Sequence, residues 1–178
     1  MTDDEIKSLL NSVKTIAVVG WSPKPDRASH SVAAFLKRRG YRVIPVNPGH
    51  AGEQALGEVV HATLGSIGAQ VDMVDIFRRS SEVGPVVDEA LRLPRLKAVW
   101  MQLGVVNEAA ADKARAAGVQ VTNTPGAVTD ATADIAMTLI LMTARRAGEG
   151  ERLVRAGKWQ GWHPTQMLAD VLEGSGKP

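Results

Sequence analysis

Apolar positions along the chain switch repeatedly between two periods. Ile6, Leu9, Leu10 and Val13 recur at helical spacing and predict a short amphipathic helix over residues 3–13. "TIAVV" (15–19) is apolar throughout, the pattern of a strand covered on both faces, which places it centrally in a sheet. The alternation then continues with helix 29–40, strand "RVIPV" (42–46), a weak helical stretch near 53–60 and strand "VDMVDIF" (71–77). Helix 81–93, strand "AVWMQL" (98–103), helix 107–118 and strand "VQVTN" (119–123) complete the run. Five strands alternating with helices predict an α/β three-layer fold, a five-stranded parallel sheet with right-handed crossovers and helices on both faces. In such a sheet ligands bind at the carboxyl ends of the strands, so loops 20–29, 47–52, 77–80 and 102–106 are expected to share one crevice.

After Asn123 the pattern changes. "TPGAVTD" reads as a turn at Pro125 and Gly126, with Thr129 or Asp130 capping a long helix over 130–146. Within it, "IAMTLILMTA" (135–144) has only threonines as polar residues. At about 100° per residue this stretch is apolar nearly all round, where an outer-layer helix needs one stripe. A Gly-rich arm with Trp159 and Trp162 follows. The chain is therefore divided into residues 1–124 and an appended segment, 125–178. The segment is expected to make a homodimer through residues 129–168; the alternative is a helix packed on its own chain's sheet.

A chain of 178 residues can bury a core unaided, and the absence of cysteine removes disulfides, thiolate metal sites and cysteine nucleophiles. The formal charge is +2 with signs interleaved, and one tyrosine, two phenylalanines and four tryptophans form no basic, aromatic stripe, so no nucleic-acid partner is expected. "MTDDEIKSLL" has the wrong charge for a targeting peptide, and no apolar run reaches the roughly 18 residues of a membrane span. The expected setting is cytoplasmic.

The first strand ends at Gly20, where a sharp turn would let backbone approach a ligand. Ser22, Lys24, Arg27 and Ser29 follow, with Ser29 as the expected helix cap. Free amides, a helix dipole and two cations at one spot favour a phosphate or pyrophosphate, although such a loop can also be merely solvated. The GxGxxG of a dinucleotide site is missing, and strand two runs into Asn47 and Pro48 with no carboxylate before Glu53, which argues against NAD. The glycines at 148 and 150 follow a helix instead of a strand and do not make that motif.

"KTIAVVGWSPKPDRASHSVAAFLKRRGYRVIPVNPGHAGEQALGE", "VDMVDIFRRSSEVGPVVDEAL" and "KAVWMQLGVVNEAAADKARAAG" resemble, in order and over about residues 5–120, the small bacterial CoA-binding proteins. These are stand-alone relatives of the CoA-binding domain in the succinyl-CoA synthetase alpha subunit. The resemblance implies a Rossmann-like fold that holds CoA or acyl-CoA by its adenosine-phosphate part. It implies a phosphate loop of Gly20, Trp21, Ser22, Pro23, Lys24 and Arg27. Asn47, Pro48 and His50 would stand at the end of strand two, with His50 where the synthetase has a lysine. Ile76, Phe77 and Arg78 would line the crevice after strand three, and Met101, Gln102, Leu103 and Gly104 after strand four. From about residue 118 to 164, "VTNTPG", "TDATAD", "ARR" and "RAGKWQGWHP" instead resemble D-2-hydroxyacid dehydrogenases of the glyoxylate reductase type, in their interdomain helix and dimerisation arm. The "DRC"-like ending usual among the CoA-binding proteins is absent. The pattern is that of a chimera joined near 117–121, at equivalent strands of two flavodoxin-like folds.

Other chemistry is thin. The four histidines (30, 50, 61, 163) lack metal spacing, and His50 is either a phosphate or ribose contact or a surface residue. Asp72 and Asp75, three apart on a strand, point to opposite faces and make no acid–base pair, which leaves Asp75 a structural or crevice hydrogen-bonding role. Ser22 and Ser29 lack the GxSxG of a nucleophile elbow. Trp21 either covers a ligand ring or packs on the loop, Trp100 belongs to the core, and Met137 and Met142 to core or interface. The expected function is non-catalytic binding of CoA or acyl-CoA, with no metal. The alternative is a homodimeric scaffold without useful ligand binding. A dehydrogenase activity would need a cofactor domain that this sequence does not contain.

Overall fold

The computed structural model describes residues 2–124 and 128–161. Contacts divide the chain into two compact units, Met1–Pro125 and Gly126–Pro178.

In the first unit, β1 (Thr15–Val19), β2 (Arg42–Val46), β5 (Met73–Ile76), β6 (Ala98–Met101) and β7 (Gln120–Asn123) form one parallel sheet in the order β2-β1-β5-β6-β7. This is the expected Rossmann-like α/β architecture, with the strand order of a flavodoxin-type sheet. β5, not β1, is the central strand. β1 lies one place from the edge, and its continuous apolar run reports cover on both faces, which every interior strand has. The order reverses at β1: the chain leaves β1 toward β2 over one face and leaves β5 toward β6 over the other, which opens a crevice between the carboxyl ends of β1 and β5.

Alternating residues build two cores. Val74, Ile76, Val99 and Met101 face α3 (Val83–Ala90) and α4 (Glu108–Ala116), which contribute Val83, Val87, Ala110, Ala111 and Ala114. Ile16, Val18, Met73 and Ala98 face the other way, toward Leu9 of α1 (Asp3–Ser12) and Ala33 of α2 (Ala28–Arg38). Full burial of each Val or Ile is worth roughly 1.5–3 kcal/mol, so the sheet is anchored from both sides. α1 begins with a reciprocal cap: Glu5 N–H donates to the Thr2 hydroxyl and Thr2 N–H to the Glu5 carboxylate.

Residues 53–60 are not helical. They form a small antiparallel hairpin, β3 (Gln54–Ala55) with β4 (Glu58–Val59), turning through Leu56 (φ 55°) and Gly57 (φ 77°). Two successive residues at positive φ match the twist of a hairpin and cannot continue a helix. Val60, fully buried just beyond it, ties the hairpin to the core.

In the second unit, α5 (Thr129–Ala144) ends two residues before the expected 146, because Arg146 is left-handed (φ 47°) and starts α6 (Ala147–Arg155). Neither Thr129 nor Asp130 caps α5; Val128 holds that position without a side-chain bond. α6 is a helix where the sequence reading saw only a Gly-rich arm. The ion pairs Arg146–Glu149 and Arg155–Glu151 support it despite Gly148 and Gly150. Exposed Ile135, Leu139, Ile140 and Leu141 confirm that α5 is apolar on several sides. Among the described residues no helix is long and apolar enough to cross a membrane. The turn at Pro125 and Gly126, Trp162, His163 and the arm beyond 161 lie outside the described residues.

Candidate functional site

The loops after β1, β2, β5 and β6 all leave the carboxyl edge of the sheet and come together there. Gly20 (φ 84°) is required by the fold: a Cβ would lie 2.3 Å from the Phe77 carbonyl oxygen at the end of β5. Its neighbour is thus backbone of the adjacent strand, which lets the β1 and β5 loops touch. Gly20 N–H donates to the Val46 carbonyl (2.9 Å) and Phe77 N–H to the Val19 carbonyl (2.8 Å), binding three strand ends together. Asn47 adds a cross-brace, with Nδ2 donating to the Trp21 carbonyl (2.7 Å) and Oδ1 accepting from Gly49 N–H (2.9 Å).

Trp21 packs inward, resolving the two alternatives in favour of packing. Only 4% exposed, it stacks on His30 at 6.4 Å and meets His50 edge-on at 6.3 Å, and its buried indole N–H has no partner among the described residues. His30 Nδ1 lies 3.3 Å from the Ser22 carbonyl, and His50 Nδ1 lies 2.9 Å from Glu53 Oε1. Beyond Trp21, Ser22 and Pro23 are half-buried, and Lys24 and Arg27 are exposed, their side chains making no ion pair or hydrogen bond among the described residues.

Ser29 is not the helix cap. α2 starts one residue earlier, with Arg27 at the cap position and no side-chain bond, and Ser29 is buried inside the first turn. The consequence favours an anion. Among the described residues the amides of Ala28 and Ser29 have no acceptor, at the positive end of a helix and beside two cations without an ion pair there.

The other predicted positions divide. Pro48 is exposed and starts a short 3₁₀ turn that carries His50. Ile76 and Met101 are buried in the core, so their side chains do not line the crevice; both belong to the strands that close over α3 and α4. Phe77 is half-buried, and Arg78 lies beside Gly20 with its guanidinium 3.6 Å from Glu82. Leu103 is exposed, Gly104 turns at φ 78°, and Gln102 Nε2 donates to Asp75 Oδ1 (2.8 Å).

The sequence reading left Asp75 with a hydrogen-bonding role, and the structure supplies the environment. At 2% exposure, burial pushes its carboxyl up to about 7 against the pull of the Gln102 and Ile76 hydrogen bonds. Asp72 behaves oppositely. Burial pushes it up, but the Lys14 and Thr15 amides, Lys97 and Gln70 outweigh that and hold it below the usual range. It clamps the amino ends of the strands, where two hollows lie, one of about 500 Å³ beside Glu5, Ser8 and Lys97 and one of about 630 Å³ beside Lys14 and Arg42. Two of their cations are paired, Lys97 with Asp72 and Arg42 with Glu58. The candidate site is marked instead at the carboxyl end of the sheet, where free backbone amides and two cations stand together. Among the described residues no three His, Asp or Glu side chains converge as a metal site.

Comparison with known proteins agrees with this geometry. The CoA binding domain family matches residues 14–130. The uncharacterized protein YneT of Bacillus subtilis is 42% identical over 106 residues, covering 60% of this chain and 76% of its own. The solved structure of cell-free ID.343 from Thermus thermophilus superposes with a TM-score of 0.66 at 37% identity, over 69% of this chain and 91% of its own. A glyoxylate reductase of Thermococcus litoralis is 41% identical over 85 residues, 46% of this chain but 26% of the enzyme. This chain therefore spans about a quarter of that reductase. The match is longer than everything after Gly118, so it overlaps the CoA-binding match instead of starting where that one stops. Since the family match takes in more than half of the chain, along with the switch-point crevice and both cations of the loop, the chain belongs to the CoA binding domain family.

Proposed function

We propose that this chain binds CoA through its adenosine-phosphate moiety at the carboxyl edge of β1, β2 and β5, without catalysing a reaction on it. One observation carries the reading: the unpaired amides of Ala28 and Ser29 stand beside the unpaired side chains of Lys24 and Arg27. Amides and cations with no partner among the described residues are what a pyrophosphate satisfies without displacing any of them. Arg78 and His50 flank the same opening and add donors for a further phosphate or a ribose. The reading contains no chemical step because the remaining polar groups of the crevice are occupied in holding its loops: Asn47, Gln102 and Asp75 each bind protein. Calorimetric titration with CoA tests it, with a binding isotherm expected for the wild type and strong weakening in Lys24→Ala/Arg27→Ala. A well-folded protein silent toward CoA would favour the scaffold reading.

A second reading concerns the appended unit. α5 exposes Ile135, Met137, Leu139, Ile140, Leu141 and Met142, most of them near 60%. Monomers rarely leave so contiguous an apolar surface uncovered, and we infer that a second copy of this chain covers it, making a homodimer through residues 129–168. Light scattering of the full chain is expected to give twice the chain mass of 19.0 kDa, and a monomer overturns the inference. We read the chain as a fusion of CoA-binding and dehydrogenase-like sequence joined near residues 117–121, a reading supported by partial matches to both kinds of protein.

A further inference from the structure

Two histidines border the crevice, and their hydrogen bonds restrict what each can do there. His30 lies in the first turn of α2, next to the free amide of Ser29, and its Nδ1 is 3.3 Å from the Ser22 carbonyl oxygen. His50 ends the 3₁₀ turn after β2, and its Nδ1 is 2.9 Å from Glu53 Oε1. Carbonyl and carboxylate oxygens only accept hydrogen bonds, so in both rings Nδ1 carries the hydrogen. A neutral imidazole held in this way has a bare lone pair at Nε2, which cannot donate to an anion. Among the described residues neither Nε2 has a partner. Trp21 stands between the two rings, and its buried indole N–H is likewise unpaired among the described residues. An orphaned buried donor marks a place where the protein lacks an acceptor, which a phosphate oxygen can be.

We propose that His30 and His50 engage the ligand only as imidazolium ions, so that filling the crevice takes up protons and the protein releases its ligand as pH rises, which rests on the reading that the crevice holds the phosphates of CoA. A phosphate bound beside the rings favours the charged imidazole, because that form alone offers Nε2–H as well as Nδ1–H. Each proton comes from solvent to Nε2, and Nδ1 keeps its present partner. The other charged groups bordering the cluster are accounted for. Lys24, Asp26 and Arg27 are exposed in the β1 loop, Arg78 after β5 pairs with Glu82, and Glu53 pairs with His50. Asp75 is buried in β5 and titrates in its own right. His61, bridged to Val46, turns to Ser66 instead.

Calorimetric titration of the full chain with CoA at pH 6.5 and pH 8.0 tests the coupling. The wild type is expected to bind at least about fivefold more weakly at pH 8.0, the step from a charged to a neutral hydrogen bond. At pH 7.5 the phosphates of CoA are almost fully ionised, so titration in two buffers of different ionisation heat counts the protons that the protein takes up. Net uptake is expected. His30→Gln and His50→Gln, whose amides donate at every pH, should each lose about half of it. The double variant should bind with nearly the same affinity at both pH values, and His61→Gln, away from the crevice, should behave as wild type. Binding without proton uptake overturns the coupling and leaves the phosphate site standing. Uptake that persists in the double variant belongs to another group, Asp75 first, and overturns the assignment. If the double variant does not fold, unchanged uptake in both single variants overturns it equally. A folded wild type that binds no CoA even at pH 6.5 overturns both readings.

Discussion

Asp75→Asn should make the protein progressively more stable than wild type as pH rises, and the size of the effect follows from burial. The folded protein holds the Asp75 carboxyl at about 7, whereas the unfolded chain releases its proton at the ordinary value of 3.8. Between those values the native state binds a proton that the unfolded state has lost, so stability falls as pH climbs through this window and levels off above it. At about 1.4 kcal/mol per tenfold change in proton affinity, the loss from pH 4 to pH 8 is about 4 kcal/mol. Asparagine cannot ionise, yet its side-chain oxygen can still accept from Gln102, so the variant escapes this loss. Urea unfolding followed by far-UV circular dichroism at pH 4, 5, 6, 7 and 8 gives both curves. The difference between variant and wild type isolates Asp75 from every other titrating group. Expected is a gap that widens toward high pH by about 4 kcal/mol, with most of the change between pH 4 and 7. Parallel curves would refute the reasoning, because they would mean that the carboxyl is solvated or otherwise paired.

The remaining predictions use the same geometry. Lys24→Ala/Arg27→Ala should weaken CoA binding by at least about a hundredfold, from two charge-assisted contacts of about 1.5–3 kcal/mol each, and should flatten the salt dependence measured by calorimetry. Gly20→Ala places a Cβ against the Phe77 carbonyl at a left-handed φ, so a loss of more than about 2 kcal/mol in urea unfolding is expected; an unchanged midpoint would show that the strand ends can separate. Asp72→Ala leaves the Lys14 and Thr15 amides without their acceptor and should cost about 1–3 kcal/mol at pH 7. Because Asp72 is held low, the wild-type advantage should shrink as pH drops below 4, a trend readable from unfolding midpoints at pH 3 and 7. If the proposed homodimer forms through α5, Leu139→Glu together with Ile140→Glu should leave a monomer in sedimentation.

Much of the architecture was written in local patterns. Period-two and period-3.6 apolar spacing locates five strands and the helices between them, since each element must bury one face or two wherever it ends up. Gly20, Lys24, Arg27 and Asn47 were legible for a similar reason: they cluster in chain positions that any parallel sheet gathers at one edge. α6 escaped because Gly148 and Gly150 look like breakers, while its support comes from ion pairs one turn apart. The hairpin at 53–60 escaped because two residues at positive φ leave little mark on a pattern of polar and apolar positions.

Which side chain faces the crevice was decided only by the tertiary fold. Ile76 and Met101 stand at strand ends that look equivalent to Phe77 and Gln102, yet the pleat sends the first pair into the α3–α4 core and the second toward the other face. Whether Trp21 covered a ligand or packed could not be read from its place after Gly20, since it depended on His30 and His50 arriving from two other elements. Asp75 is the clearest case. Its sequence neighbours show a strand, and the burial that raises its proton affinity comes from flanking strands and the layer above. Spacing along the chain determines what an element must hide, but the electrostatic environment of a group is set by neighbours distant in sequence, and these exist only once the sheet is assembled.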